Sequence, residues 1–547
     1  MRRDPKLPGA SAAPARPGSA TTGPAGPAAQ AAGEPVLPAA GPAHGVAEPA
    51  AGEPPKQAMA PDRIPWLIAL VVFAAYVPIS VLRYLRLDPT SWDLGIFTEY
   101  LKQYAGLHAP VVDVRGAGIN LLGDHFHPIV ALIAPFFRVF PSPVTLLVAQ
   151  ALLAAVSVVP VSRAAADRLG AGAGRAIGAA YGFSWGLQQL VNFDFHEIAF
   201  AVPLLACSLS ALVRGRMRAA AWWAMPLVFV KEDQGFTVAG IGIIMAIVYR
   251  EQIAGLFLAA WGLVWSFLAV SVIIPHLNQA HRYLYWNDGG AISPVGGHLS
   301  VGGLLSQLVA GSSTKLPTLA MILLPTAFIA LRSPLVLAAV PSLALRFVGT
   351  NNSYWGTYWH YNATVMPIVF IAAVDAIARI RAARVAREGW AAGQGRAGLP
   401  GWDAREPGRL GAAVEQHGVA VMLAIAAALA FQFPLSNLWN PQTYTIGPHV
   451  AAARTAMAQV PDGAQVATDL DLLAPLAVRT DTYWLGNSAT NPATTYVVFD
   501  TASTDWQPPP RNVLTFVEGL NHGVRYRQVY VNHGVYVFIR ADQAPAG

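Results

Sequence analysis

The chain has 547 residues, 54% of them hydrophobic and only 12% charged, against about 25% charged in an ordinary soluble domain. Its formal charge of +6 sits in short loops between long apolar runs, the distribution that topology selection produces, so nucleic-acid binding is not expected. The single cysteine, Cys207, lies inside an apolar run, which excludes a disulfide framework and a cysteine-based metal site.

Residues 1 to about 62 are rich in Ala, Pro and Gly, with too few large apolar side chains to offset the entropy of ordering, and are expected to form a disordered cytoplasmic tail. The first apolar run begins at Ile64 and no small-residue cleavage site follows it, so this first helix is expected to remain as an anchor. Spans of about 20 apolar residues fall at roughly 64–84, 142–162, 174–192, 197–213, 219–230, 235–249, 252–274, 316–331, 333–348, 363–380 and 417–437. The expected class is a polytopic α-helical membrane protein with about eleven transmembrane helices.

The arginines test this count. Arg163, Arg168 and Arg175 share one loop and Arg214, Arg216 and Arg218 another, while Arg250, Arg332 and the cluster Arg379, Arg381, Arg384 and Arg387 fall in loops of the same parity. The positive-inside rule makes that side, with the amino terminus, cytoplasmic. The apolar segment 127–140 is short and interrupted by Pro128 and Pro135, which suits a re-entrant or broken helix. If it crossed, every later loop would change side, and the arginine pattern argues against that.

Acids and histidines concentrate in the opposite loops. These hold Trp92-Asp93, then Asp124-His125-Phe126-His127, then Phe193-Asp194-Phe195-His196-Glu197, then Lys231-Glu232-Asp233. Further along come His276, His281, Arg282, Tyr283 and Tyr285, and the aromatic stretch Tyr354 to Asn362 with Trp359 and His360. Ionisable groups at helix ends are expensive unless water, a partner or a ligand satisfies them, so these clusters are expected to share one cavity.

Each cluster also has a plainer reading. Asp93 can cap a helix starting at Leu94, a role compatible with catalysis. Lys231 can simply neutralise Glu232 and Asp233. The aromatic stretch can be an interfacial belt as readily as a sugar-binding face. A His-x-His spacing on an extended segment points both imidazoles to one face, which allows a divalent metal held by His125, His127, His196 and Glu197.

Beyond about Pro441 the pattern changes. Thr495–Asp500 and Val535–Ile539 read as strands, Val450–Gln459 as a helix and Pro461-Asp462-Gly463-Ala464 as a turn. Residues 438–547 are therefore expected to form a small α/β domain outside the membrane, with Asp469, Asp471 and Asp481 as ordinary surface carboxylates.

The ordered set Trp92-Asp93-Leu94-Gly95-Ile96-Phe97, Asp124-His125-Phe126-His127-Pro128, Phe136-Phe137-Arg138-Val139-Phe140-Pro141-Ser142-Pro143, Phe193-Asp194-Phe195-His196-Glu197 and Lys231-Glu232-Asp233 resembles the prokaryotic DUF2079 family of predicted membrane proteins. That family is grouped with the GT-C superfamily of integral-membrane glycosyltransferases. The resemblance implies a many-helix fold, a catalytic aspartate in the first outer loop, at the position of Asp93, and a polyprenyl-phosphate sugar as donor, with an envelope glycan, lipid or protein as acceptor.

Chemistry agrees with that placement. A lipid-linked sugar presents its phosphate at the membrane surface, so transfer needs a base beside the interface and cationic or metal help for the departing phosphate. Asp93 is the candidate base, with Asp124 the other candidate catalytic acid. Trp92, Lys231, Glu232, Asp233, Arg282, Trp359 and His360 are the candidate substrate-binding residues. The alternative is a transporter or lipid translocator, since embedded acids and histidines also relay protons. Transporter sites usually lie near the midplane, however, and these groups lie at one face. A sensor or scaffold would leave the clustered motifs without a purpose.

Overall fold

The computed structural model describes residues 62–286, 301–391 and 409–543. The expected disordered tail lies outside the described residues. Among those described, five helices are long and apolar enough to cross a membrane: Ile64–Leu85, Pro143–Leu169, Gln252–Leu277, His360–Glu388 and Arg409–Ala430. A sixth span is present if Val301–Val309 and Ser312–Thr326, bent by 71° from one another, count as one. The other expected spans are also helical but shorter or broken, as in Ala171–Gly182 followed by Trp185–Asn192, or Gln234–Ile247.

The helix His360–Glu388 is the centre of the bundle, with 89% of its apolar window buried inside the protein. Its run from Val365 to Ala378 has apolar residues on every face, as a helix surrounded by protein requires. The helices Gln234–Ile247 and Gln252–Leu268 pack through glycines that let their backbones touch. A Cβ on Gly242 would lie 2.5 Å from the Gly255 carbonyl oxygen, so this close approach requires glycine.

The latter helix continues through a π-helical turn, Ala269–Ile273, a departure from regular α geometry that often marks a functional site. Residues Pro128–Val139 form a helix too short to span. Leu132, Phe136, Val139 and Phe140 are left exposed along this segment.

The carboxyl-terminal region forms a five-stranded sheet. Its strands are β1 (Gln465–Thr468), β2 (Asp481–Trp484), β3 (Tyr496–Asp500), β4 (Tyr526–Asn532) and β5 (Val535–Arg540), in the order β2-β1-β3-β5-β4. β1 pairs parallel to β2 and β3, and β5 runs antiparallel to β3 and β4. The two-residue turn His533-Gly534 has positive φ at both positions, the primed geometry that matches the twist of a hairpin.

This domain is not a detached appendage. Leu473, Ala474 and Ala477, on the helix Leu470–Ala477 that links β1 to β2, belong to the same apolar core as the membrane helices. A Cβ on Gly95 would come within 2.9 Å of the Leu473 Cβ, so the helix after the first span lies directly on the sheet domain.

One expectation is corrected. Asp469 is fully buried, not a surface carboxylate, and accepts hydrogen bonds from the Asp500 amide and the Trp506 indole. Its position at the end of β1 beside β3 turns the side chain into the sheet's edge network.

Candidate functional site

The loop after the first span is held in place by a distant acid. The amides of Thr90 and Ser91 donate to the Asp194 carboxylate at 3.1 and 2.8 Å, so Asp194 is an anchor for the residues leading into Asp93. Gln150, buried in a membrane helix, in turn donates to the Leu190 and Asp194 carbonyls and accepts from the His196 amide at 3.0 Å. Three segments far apart in sequence are thereby locked at one level.

Above them opens a cavity of about 570 Å³. Its charged part is lined by Trp92, Asp93, Asp124, His125, His127, His196, Glu197, Lys231, Glu232 and Asp233. Arg115, Tyr283, Tyr285, Arg346, Tyr354 and Tyr361 complete that lining. Its other part is apolar, walled by Phe236, Leu263, Phe267 and Val270. Leu263 and Phe267 on this wall are exposed rather than packed against other side chains.

The expected helix cap is displaced by one residue. Asp93 is the first residue of the helix Asp93–Ala105, Trp92 occupies the cap position without capping through its side chain, and the Asp93 amide donates to the Ser91 hydroxyl at 3.0 Å. The Asp93 carboxylate instead accepts from the Ser91 hydroxyl at 2.5 Å. Burial and the nearby Glu197 raise its pKa above the ordinary carboxylate value, against the pull of His196, Ser91 and Lys231. A carboxylate raised in this way is a better proton acceptor than a free one.

The other charges divide into pairs. Arg115 donates to Asp124 through two nitrogens at 3.1 and 3.4 Å, and Tyr285 donates to the same carboxylate at 3.2 Å. His125 Nδ1 lies 2.6 Å from Glu232, which also accepts from the Phe126 amide and the Tyr283 hydroxyl. Glu197 sits between His196 at 2.8 Å and Lys231 at 3.1 Å. Burial works against the Lys231 charge, but the surrounding Glu197, Glu232 and Asp233 hold its pKa well above the usual lysine value. His127 contacts the Tyr100 hydroxyl and is pushed down to about 4 by burial, hence neutral at pH 7.

Arg346 is different. Its guanidinium donates to the Tyr354 and Tyr361 carbonyls and to the Asn362 amide oxygen, and no carboxylate pairs with it among the described residues. A buried cation satisfied only by neutral acceptors retains its charge for a ligand in the cavity it lines.

The remaining candidates fall outside the lining. His360 is buried behind the cavity and stacks on His196 with ring centroids 3.9 Å apart. Trp359 meets Phe193 edge-on at 5.6 Å. Arg282 is exposed on the loop that carries Tyr283. Of the four suggested metal ligands, His196 and Glu197 contact each other, His125 faces Glu232 and His127 faces Tyr100, all on the lining of the same cavity. Among the described residues no three His, Cys, Asp or Glu side chains are grouped to hold a metal ion.

Arg115 and Arg346 escape a reading based on acid and histidine clusters. Arg346 did carry a signal, as an arginine inside an otherwise apolar stretch. Arg115 carried none, since its loop is ordinary in composition.

The His125–Glu232 pair has a pH signature. Burial and Lys231 disfavour the charged imidazole, but Glu232 and Asp124 outweigh them and raise His125 above its usual 6.5. Burial alone would raise Glu232 from 4.5, but His125 and Lys231 bring it down to about 2. The imidazolium contribution is therefore complete below pH 6.5 and fades as pH rises through the raised value. The carboxylate contribution is complete above pH 4.5 and fades as pH falls towards 2. Glu232→Gln is expected to destabilise the protein by about 1.5–3 kcal/mol between these limits, with the difference shrinking on both sides. Thermal unfolding in detergent across a pH series checks this; a difference independent of pH would show that the pair is not ionic.

The fold places these groups in a bundle of apolar helices with a small sheet domain resting on the loop after the first long helix. The structure of ArnT from Cupriavidus metallidurans bound to undecaprenyl phosphate is similar, with a TM-score of 0.52 at 14% identity over 88% of this chain and 99% of that one. The apo structure of the same protein gives a TM-score of 0.49 at 14% identity, covering 87% and 97%. No curated protein matches the chain in sequence. Residues 83–537 match the family described as predicted membrane protein (DUF2079), and the chain belongs to that family.

Proposed function

We propose that this protein is a membrane glycosyltransferase that moves a sugar from a polyprenyl-phosphate donor to an acceptor of the cell envelope, glycan, lipid or protein. The observation that carries the reading is the two-part character of the cavity: a charged end holding Asp93 and Arg346, which has no carboxylate partner among the described residues, continuous with an apolar wall whose Leu263 and Phe267 are exposed. Such a lining suits a ligand with an anionic head and a hydrocarbon tail. The undecaprenyl phosphate bound by the similarly folded ArnT is a ligand of that chemistry.

In the reaction, Asp93 takes the proton of the acceptor hydroxyl as that oxygen bonds to the anomeric carbon. The bond from the anomeric carbon to the phosphate oxygen breaks, its electron pair leaving with the polyprenyl phosphate. Arg346 and Lys231 offset the charge that develops on the phosphate. Trp92 and the tyrosines offer faces for sugar rings.

The same reading assigns about eleven crossings, a cytoplasmic amino terminus and an outer-face carboxyl-terminal domain at residues 438–547, supported by the arginine parity of the loops. The charged cavity and the sheet domain both contact the first loop, so they share one side of the bundle.

Purified protein in detergent, given a labelled polyprenyl-phosphate sugar and an envelope extract, is expected to release polyprenyl phosphate and label the extract. Donor left intact in detergent but moved across sealed vesicles would replace the transferase by the translocator.

A further inference from the structure

We propose that Trp484, in the carboxyl-terminal sheet, is a positioning residue for the polar wall of the membrane cavity, acting through Trp92 to hold Arg115 against Asp124. The role in turnover rests on the transferase reading of that cavity; the placement of Arg115 does not.

Trp92 lines the cavity beside Asp93, and Trp484 does not. The two indoles meet edge-on, with centroids 4.6 Å apart and planes at 60°. The Arg115 guanidinium lies over the Trp92 ring, 5.1 Å from its centroid. Arginine has a long flexible stem, so a fixed position on a cavity wall needs several restraints. Here the Trp92 face supplies one and the Asp124 carboxylate another. A third acts on its backbone, where Asn487 of the sheet domain donates to the Arg115 carbonyl at 3.0 Å.

Trp484 is itself set from behind. Its indole nitrogen donates to Asp505 at 2.8 Å, and the same carboxylate oxygen accepts from the Leu470 amide at 3.0 Å. One acid thereby fixes both the tryptophan and the start of the helix on which Gly95 rests. The order of the wall continues past Arg115: Asp124 also holds Tyr285, whose ring stacks on His125 at 4.3 Å. A residue of the sheet domain thus reaches the charged end of the cavity through one intervening ring.

The test is the rate at which phenylglyoxal modifies Arg115 in the purified full-length protein, read by peptide mass spectrometry. Arg479, in the sheet domain and of similar side-chain exposure (30% against 25%), is the internal control. Trp484→Ala is expected to speed modification of Arg115 roughly three- to tenfold, the scale of a lost ring contact and a weakened cation–π contact, and to leave Arg479 unchanged. Trp484→Phe, which keeps an aromatic edge, should stay within about twofold of the parent.

Because Trp484 acts through Trp92, the double variant Trp92→Ala/Trp484→Ala should be no faster than Trp92→Ala alone. An unaltered Arg115 rate in Trp484→Ala, a parallel rise at Arg479, or single effects that multiply in the double variant would each overturn the proposal. Undecaprenyl phosphate binding, measured on the same proteins, separates the two readings. A parent that fails to bind the lipid removes the transferase, while the modification rates still decide the positioning role.

Discussion

Asp93→Asn is expected to lower sugar transfer by about 10² to 10⁴ while leaving the protein folded and able to bind lipid phosphate, the range typical of a lost general base. The substitution keeps the size of the side chain and an oxygen that can accept from the Ser91 hydroxyl, so the loop conformation should persist. It removes a lining carboxylate that lies at the start of a helix beside Trp92 and has no ion pair among the described residues. Its raised pKa makes the basicity lost larger than that of a solvent-exposed aspartate. Turnover measured beside binding of undecaprenyl phosphate separates the outcomes: transfer at the parental rate would move the base to Asp124 or Glu197. Those two are weaker candidates in the structure, because Arg115 and Lys231 already neutralise them.

Arg346→Met is expected to weaken undecaprenyl phosphate binding by roughly 10- to 150-fold, the loss of a hydrogen-bonded charge on a phosphate. Methionine fills much of the arginine stem's volume without the guanidinium. Arg346→Lys keeps the charge but loses the planar fork, and should fall between the two. The guanidinium also bridges the Tyr354 and Tyr361 carbonyls, so part of any effect can come from that loop. The unfolding midpoint and the Lys variant control for this. A folded Arg346→Met protein with parental affinity would place the phosphate on Lys231 alone.

Several features were legible in the order of residues because each depends on local chemistry. An apolar run of membrane length needs no partner to be recognised, and the helices at Ile64–Leu85, Pro143–Leu169, Gln252–Leu277, His360–Glu388 and Arg409–Ala430 all fall where such runs occur. Alternating apolar residues foretold β3 and β5 within about a residue of their observed ends. The motifs around Asp93, Asp124, His196 and Lys231 stood out because charge beside apolar helix is costly and therefore sparse. Long-range pairing was illegible for the opposite reason. His125 and Glu232 are 107 residues apart and Trp92 and Trp484 further still, and no local pattern encodes which of several acids each histidine will face.

By itself, then, the sequence determined the membrane class, the family and the loops in which polar chemistry is concentrated, since hydropathy and sparse charge are properties of short stretches. Only the tertiary structure decided the roles within those loops. It made Asp194 an anchor for the loop ahead of Asp93, and it set His125 against Glu232, His127 against Tyr100 and His196 against Glu197. It brought Arg346 to the cavity without a carboxylate and buried Asp469 in the sheet domain. The physical reason is the same in each case: the state of a buried charge is set by the groups packed within a few ångströms of it, and folding alone selects those neighbours.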